Sequence, residues 1–112
     1  MTSECIFCRI AAGELGTEFV AEGPEWVAFA DLAPQAPTHL LVIPRDHIES
    51  LDRLREEGSG DALLRGCRTA AAAAGLSDGY RVVANVGADG GQDVAHLHFH
   101  VLGGRRMGWP PG

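Results

Sequence analysis

The sequence predicts an α+β fold: a five-stranded antiparallel sheet, one main helix and a short helix near the N-terminus. Three observations point to it. Five short apolar-rich runs follow one another, mostly through short links. The one long helical pattern, residues 61–74, falls between the third run and the fourth. No repeated strand–helix–strand alternation is present, so a parallel sheet is not indicated.

The elements follow in order. Residues 6–12 follow Cys5, include Cys8 and form a short helix that Gly13 ends. Residues 18–22 and 26–30 are apolar runs separated by Gly23-Pro24, which reads as a hairpin. Residues 31–38 hold two prolines and form a loop. Residues 39–43, His-Leu-Leu-Val-Ile, read as a buried strand stopped by Pro44. Residues 46–55 begin polar and hold a short helix. Residues 61–74 carry apolar and alanine positions at helical spacing, and Gly75 supplies the stop. Residues 80–86 are a strand, 87–91 a glycine-rich loop needing unusual backbone angles, and 96–102 the final strand. Residues 103–112 form a tail.

The chain has 112 residues, which fits a single domain over 1–112. A domain of this size buries roughly two thirds of its unfolded surface, enough for a core without staples. Hydrophobic residues make up 46%, as expected of a soluble globular protein and not of a disordered tail. The net charge of −6 argues against a grip on nucleic acid polymers or an anionic membrane, which needs clustered positive charge. All nine basic residues are arginine, so every mechanism built on a lysine is excluded. Apolar runs are far too short to span a bilayer, and the first residues show no secretory pattern, so a cytoplasmic location is expected.

Four of the five histidines stand at 39, 96, 98 and 100. In an extended chain His96, His98 and His100 share one face, and Leu97, Phe99 and Val101 share the other, which is the core side. Such a face is a solvated polar surface, a three-histidine metal site, or a covalent catalyst in which one imidazole attacks phosphorus. The loop 87–91 that precedes it is either a hairpin turn or an anion cradle of backbone N–H groups. Cys5-x-x-Cys8 has the spacing of half a tetrahedral zinc site, with thiol redox chemistry as the other option. Cys67 lies in the long helix and reads as a small buried residue.

Five stretches of the chain then resemble one family. Gly91-Gln-Asp-Val-Ala-His96-Leu-His98-Phe-His100-Val101 resembles the histidine-triad (HIT) motif, and the tail 103–112, Gly-Gly-Arg-Arg-Met-Gly-Trp-Pro-Pro-Gly, resembles the end of its Hint branch. Upstream, Cys5-Ile-Phe-Cys8, the stretch from Phe29 through Asp31 to His39, and Val42-Ile-Pro44-Arg-Asp-His47 are similar too. The resemblance covers nearly the whole chain. It implies a HIT-like fold whose sheet continues across a homodimer, with residues 103–112 at the edge of the dimer and the active site.

The implied activity is hydrolysis of purine nucleoside 5′-monophosphoramidates and related AMP or GMP conjugates through a nucleotidyl-histidine. His98 is then the nucleophile, His100 a donor to the phosphate, and His39 an orienting or proton-relaying residue. A neutral imidazole is a competent nucleophile near pH 7. The attacking nitrogen must be free, so its ring partner should donate to a backbone carbonyl.

Asp31 is implied to bind the ribose hydroxyls, Asn85 to lie near ribose and phosphate, and Gly91, Gln92 and Asp93 to form the phosphate loop. Leu32, Phe7 and Ile10 are candidates for a base slot, and Trp109 for a contact with the nucleotide across the dimer. Cys5, Cys8, His47 and His96 are implied to bind a structural zinc, with no magnesium needed. Two positions depart from the pattern. Relatives often carry a hydroxyl residue where Asp93 stands, and some carry histidine where Gly108 stands. The alternatives are a dinucleoside polyphosphate hydrolase of the same superfamily, a nucleotide-binding adaptor, and a metal-dependent hydrolase using the triad itself.

Overall fold

The structure is a computed structural model that describes residues 4–112. The reading of the N-terminus for a leader rests partly on residues 1–3, which lie outside the described residues. Among the described residues two α-helices and five strands run in the order α1 (Ile6–Ala11), β1 (Ala21–Glu22), β2 (Trp26–Ala30), β3 (Thr38–Pro44), α2 (Ser59–Ala73), β4 (Tyr80–Val83) and β5 (Phe99–Gly103). The strands form one antiparallel sheet in the order β1-β2-β3-β5-β4. This is the α+β architecture expected. No helix among the described residues is long and apolar enough to cross a membrane.

The sheet buries both faces. On one side lies α2, which turns Leu63, Gly66, Cys67, Ala70 and Ala71 inward at helical spacing. They pack with Trp26, Ala28, Leu40, Val42, Leu97, Phe99 and Val101. Gly66 is required by contact: a Cβ there would stand 2.7 Å from Cδ2 of Trp26. Cys67 belongs to this core, where burial pushes its thiol up to about 11, so it stays protonated and inert. On the other face α1 lays Phe7 and Ala11 over Val27, Phe29, Leu41 and Ile43. The histidine face borders this second core, and His96 and His98 are buried, so the reading of that face as a solvated polar surface falls away.

Several boundaries differ from the sequence reading. The hairpin is present, closed by the Gly23 N–H on the Trp26 carbonyl at 2.9 Å, but β1 has only two residues. The region 46–55 yields a single 3-10 turn, Leu51–Arg53, with Ser50 Oγ accepting from the Asp52 N–H. Strand β4 stops at Val83, ahead of the positive-φ Gly87.

The last strand starts at Phe99 and not at residue 96. Pro44 explains the delay. The β3–β5 register pairs Val42 with Phe99, so continued pairing would bring Leu97 opposite Pro44, which has no N–H to give. The Leu97 N–H bonds the Ile48 carbonyl at 2.6 Å instead, and the Pro44 carbonyl is left for a side chain.

Candidate active site

The three histidines that share a face have three separate partnerships. The ring of His96 is wholly buried, and its Nε2–H donates to the Pro44 carbonyl at 2.9 Å. That bond leaves the Nδ1 lone pair facing two sulfurs, Cys5 Sγ at 3.3 Å and Cys8 Sγ at 3.5 Å. His47 Nδ1 stands 3.3 Å from Cys8 Sγ. One donor atom from each of Cys5, Cys8, His47 and His96 lies within 4.8 Å of the others. Both cysteines sit here because they flank the first turn of α1, where Cys5 Sγ also accepts the Cys8 N–H. Burial pushes His96 below the ordinary histidine value, which favours the neutral ring that a metal requires. The donor set is a closed one, two sulfurs and two imidazoles.

His98 stands two residues on, and its ring meets the edge of Phe7 at 5.1 Å. Its Nδ1 lies 2.7 Å from the His96 carbonyl. A carbonyl only accepts, so Nδ1 carries the proton and Nε2 keeps its lone pair. The Nε2 atom faces Asp93 Oδ1 at 3.6 Å.

His100 belongs to a third network. The Gln35 backbone N–H donates to His39 Nδ1 at 3.0 Å. A neutral His39 therefore holds its proton on Nε2, which lies 2.9 Å from His100 Nδ1 and 3.4 Å from Asp31 Oδ2. His100 then carries its proton on Nε2, and that buried atom has no partner in the structure. The chain of tautomers ends in an unmatched donor 5.1 Å, ring to ring, from His98. A buried donor without an acceptor is costly, and an anion is what would satisfy it.

His98 and His100 line one cavity of about 250 Å³. Phe7, Ile10, Phe29, Leu41 and the exposed Leu32 make its apolar walls, and Asp31 and Asp93 are its carboxylates. No arginine lines it. A larger hollow of about 510 Å³ lies between the turn after α2 and Arg105–Arg106, but it holds neither histidine nor cysteine.

Most sequence candidates thus meet at the cavity or the sulfur cluster, and five do not. His39 is buried and reaches the cavity only through His100. Asn85 and Trp109 line a different recess with Arg81 and Val83, and Trp109 is highly exposed. Gln92 turns its side chain into the loop: its amide nitrogen donates to the Glu49 and Val94 carbonyls, and its oxygen accepts the Gly87 N–H. Gly91 is a turn residue with φ +75°. Asp31 Oδ1 accepts the Ala33 N–H at 2.9 Å, which leaves Oδ2 toward His39. Sequence reasoning missed the Gln35 amide, which acts through its backbone and leaves no side-chain signal. It also missed Thr17 at the cavity wall.

A sheet with α1 and α2 on opposite faces, carrying three histidines divided among a sulfur cluster, a free ring nitrogen and a buried donor, defines the histidine-triad architecture. Comparison with known proteins agrees. Residues 12–107 match the family described as HIT domain, and the chain belongs to that family. An uncharacterized HIT-like protein of Synechococcus elongatus is 45% identical, with all of both chains covered. A HIT family hydrolase from Legionella pneumophila superposes with a TM-score of 0.90 at 46% identity, covering 97% of this chain and all of that one. A histidine triad nucleotide-binding protein from Candida albicans does so with a TM-score of 0.77 at 29% identity, covering 96% of this chain and 83% of that one.

The buried His100 has a measurable consequence. Burial, and then the neighbouring His98 and His39, push its pKa below the ordinary 6.5. Between that depressed value and about 6.5 the unfolded chain binds more protons than the fold does, so stability falls as the pH drops through this window. The urea midpoint should fall on going from pH 7 toward pH 5, and fall less in His100→Gln. An equal fall in both proteins contradicts the assignment.

Proposed function

We propose that this protein hydrolyses purine nucleoside 5′-monophosphoramidates and related nucleotidyl conjugates through a covalent intermediate on His98. The observation that carries the reading is the His98 ring. Its Nδ1–H is engaged by the His96 carbonyl at 2.7 Å, so Nε2 is left as a lone pair in the cavity. His98 Nε2 attacks the α-phosphorus, the P–N bond breaks, and the departing nitrogen takes a proton from solvent and leaves as the amine. Water then attacks the same phosphorus, the P–Nε2 bond breaks, and the nucleoside monophosphate is released. The unpartnered Nε2–H of His100 would meet a phosphoryl oxygen and stabilise the charge that grows there. The relatives named as a HIT family hydrolase and a histidine triad nucleotide-binding protein support the reading.

Asp31 would take the ribose hydroxyls, and the apolar wall formed by Phe7, Ile10 and Leu32 the base. The cavity volume, about 250 Å³, lies just below the range usual for ligand clefts, about 300–1,000 Å³. It suits one nucleoside, and no arginine is present to balance a polyphosphate. Both features weigh against a dinucleoside polyphosphate as the substrate. The edge strand β4 exposes Tyr80 and Val82, with Trp109 nearby, which supports pairing with a second copy that the mass in solution tests.

We assign a structural zinc to Cys5, Cys8, His47 and His96. Tetrahedral Zn–S bonds of about 2.3 Å and Zn–N bonds of about 2.0–2.1 Å imply S···N edges of about 3.5 Å. The S···N separations of 3.3, 3.3 and 3.5 Å fit. When bound, the ion would supply cross-linking stability and no open coordination position. The purified protein should hold one zinc per chain, and Cys8→Ser should lose it with a lower Tm. A protein purified without zinc, or a Cys8→Ser protein that keeps both the zinc and the wild-type Tm, overturns this assignment.

The direct kinetic test is the hydrolysis of adenosine 5′-monophosphoramidate. Removing the nucleophile in His98→Ala should lower kcat/KM by about 10³-fold or more, and His100→Gln by about 10²-fold. A His98→Ala protein that keeps the wild-type rate overturns the reaction class.

A further inference from the structure

Asp93 stands against the reacting nitrogen, and a phosphate enzyme has no evident use for a carboxylate there. Its Oδ1 is 3.6 Å from His98 Nε2, and its side chain is 83% exposed, so the carboxylate stands in solvent at the cavity mouth. The remaining charged lining residue is Asp31, also an acid, and no arginine lines the cavity. The chain as a whole carries −6. The surroundings of the phosphorus are therefore negative apart from what the imidazoles contribute.

We propose that Asp93 is a specificity-determining residue that selects substrates by the charge of the leaving group, favouring conjugates of cationic amines over those of anionic groups. The inference rests on the reaction proposed above and names the substrate class within it. Attack by Nε2 is in line, so the leaving atom departs on the far side of phosphorus, and in this proposal it leaves through the cavity mouth that the exposed Asp93 carboxylate borders. The α-phosphate bears the same charge in every substrate, so its repulsion by Asp93 is common to all and cancels in a comparison. What differs is the leaving group.

When a P–N bond breaks, the departing nitrogen takes a proton from solvent and gains positive character, and a nearby carboxylate stabilises it. When a phosphoanhydride breaks, the departing oxygen gains negative charge, and the same carboxylate opposes it. A cation or an anion further out on the leaving group feels the same field more weakly. Two unit charges about 4 Å apart, even in a watery setting, change a rate by roughly five- to tenfold.

The test uses two adenosine phosphoramidates that differ only at the far end of the leaving amine, one ending in trimethylammonium and the other in carboxylate. The readout is the ratio of their kcat/KM values in the wild type, Asp93→Asn and Asp93→Ser, at low and high salt. We expect the wild type to prefer the cationic conjugate by about tenfold at low salt. The ratio should fall toward one in both variants, and added salt should compress it in the wild type alone. A ratio that stays the same in Asp93→Asn, with the wild type active on both conjugates, overturns the role of Asp93 and leaves the reaction standing. A wild type inactive on both overturns the reaction and this inference together.

Discussion

The 2.7 Å hydrogen bond from His98 Nδ1 to the carbonyl of His96 is the interaction on which the site depends. It fixes the tautomer of one ring by means of a backbone group two residues away. That carbonyl stays in place because the His96 ring is held at both nitrogens, by the Pro44 carbonyl on one side and by the cysteine sulfurs on the other. Pro44 has a part in this because it lacks an N–H. It interrupts the ladder between β3 and β5, and its carbonyl becomes the anchor of an imidazole. The strand break and the site geometry thus have one cause.

The second constraint is burial. An alternating strand normally puts polar groups into water, yet these imidazoles face the edge of the core beneath α1. Burial disfavours the charged ring, so His96 and His100 are held neutral. Neutral rings have directional roles, one nitrogen donating and the other accepting, and the network of neighbours assigns each. A solvated histidine face would have no such order. The same division argues against a catalytic metal on the triad: His96 groups with the cysteines, His100 with Asp31 and His39, and His98 with neither set.

Much of this was legible in the residues. Period-two alternation over 96–101 put Leu97, Phe99 and Val101 on the core side, and helical spacing marked 61–74 as the main helix; in the fold its inward face at 63, 66, 67, 70 and 71 meets them. The match of Cys5, Cys8, His47 and His96 to one ligand set anticipated a cluster that chain distance alone would not suggest. What the sequence hid was held in backbone groups. The Gln35 amide that sets the His39 tautomer, the Ile48 carbonyl that takes Leu97, and the turned-in amide of Gln92 have no signature in residue type. Strand ends were misread for the same reason, because pairing stops where a partner N–H is missing and not where hydrophobicity ends. Asn85 and Trp109, which line a separate recess, resembled site residues through the motifs around them, and motif likeness carries no information about where the fold puts a side chain.

The most direct measurement of the central claim is intact-mass analysis after brief mixing with an adenosine phosphoramidate and a quench that avoids acid, followed by mapping of any adduct. The account predicts an added AMP on the wild-type chain, located at His98, and no adduct on His98→Ala. Turnover without an adduct on His98, or an adduct that persists in His98→Ala, would contradict it.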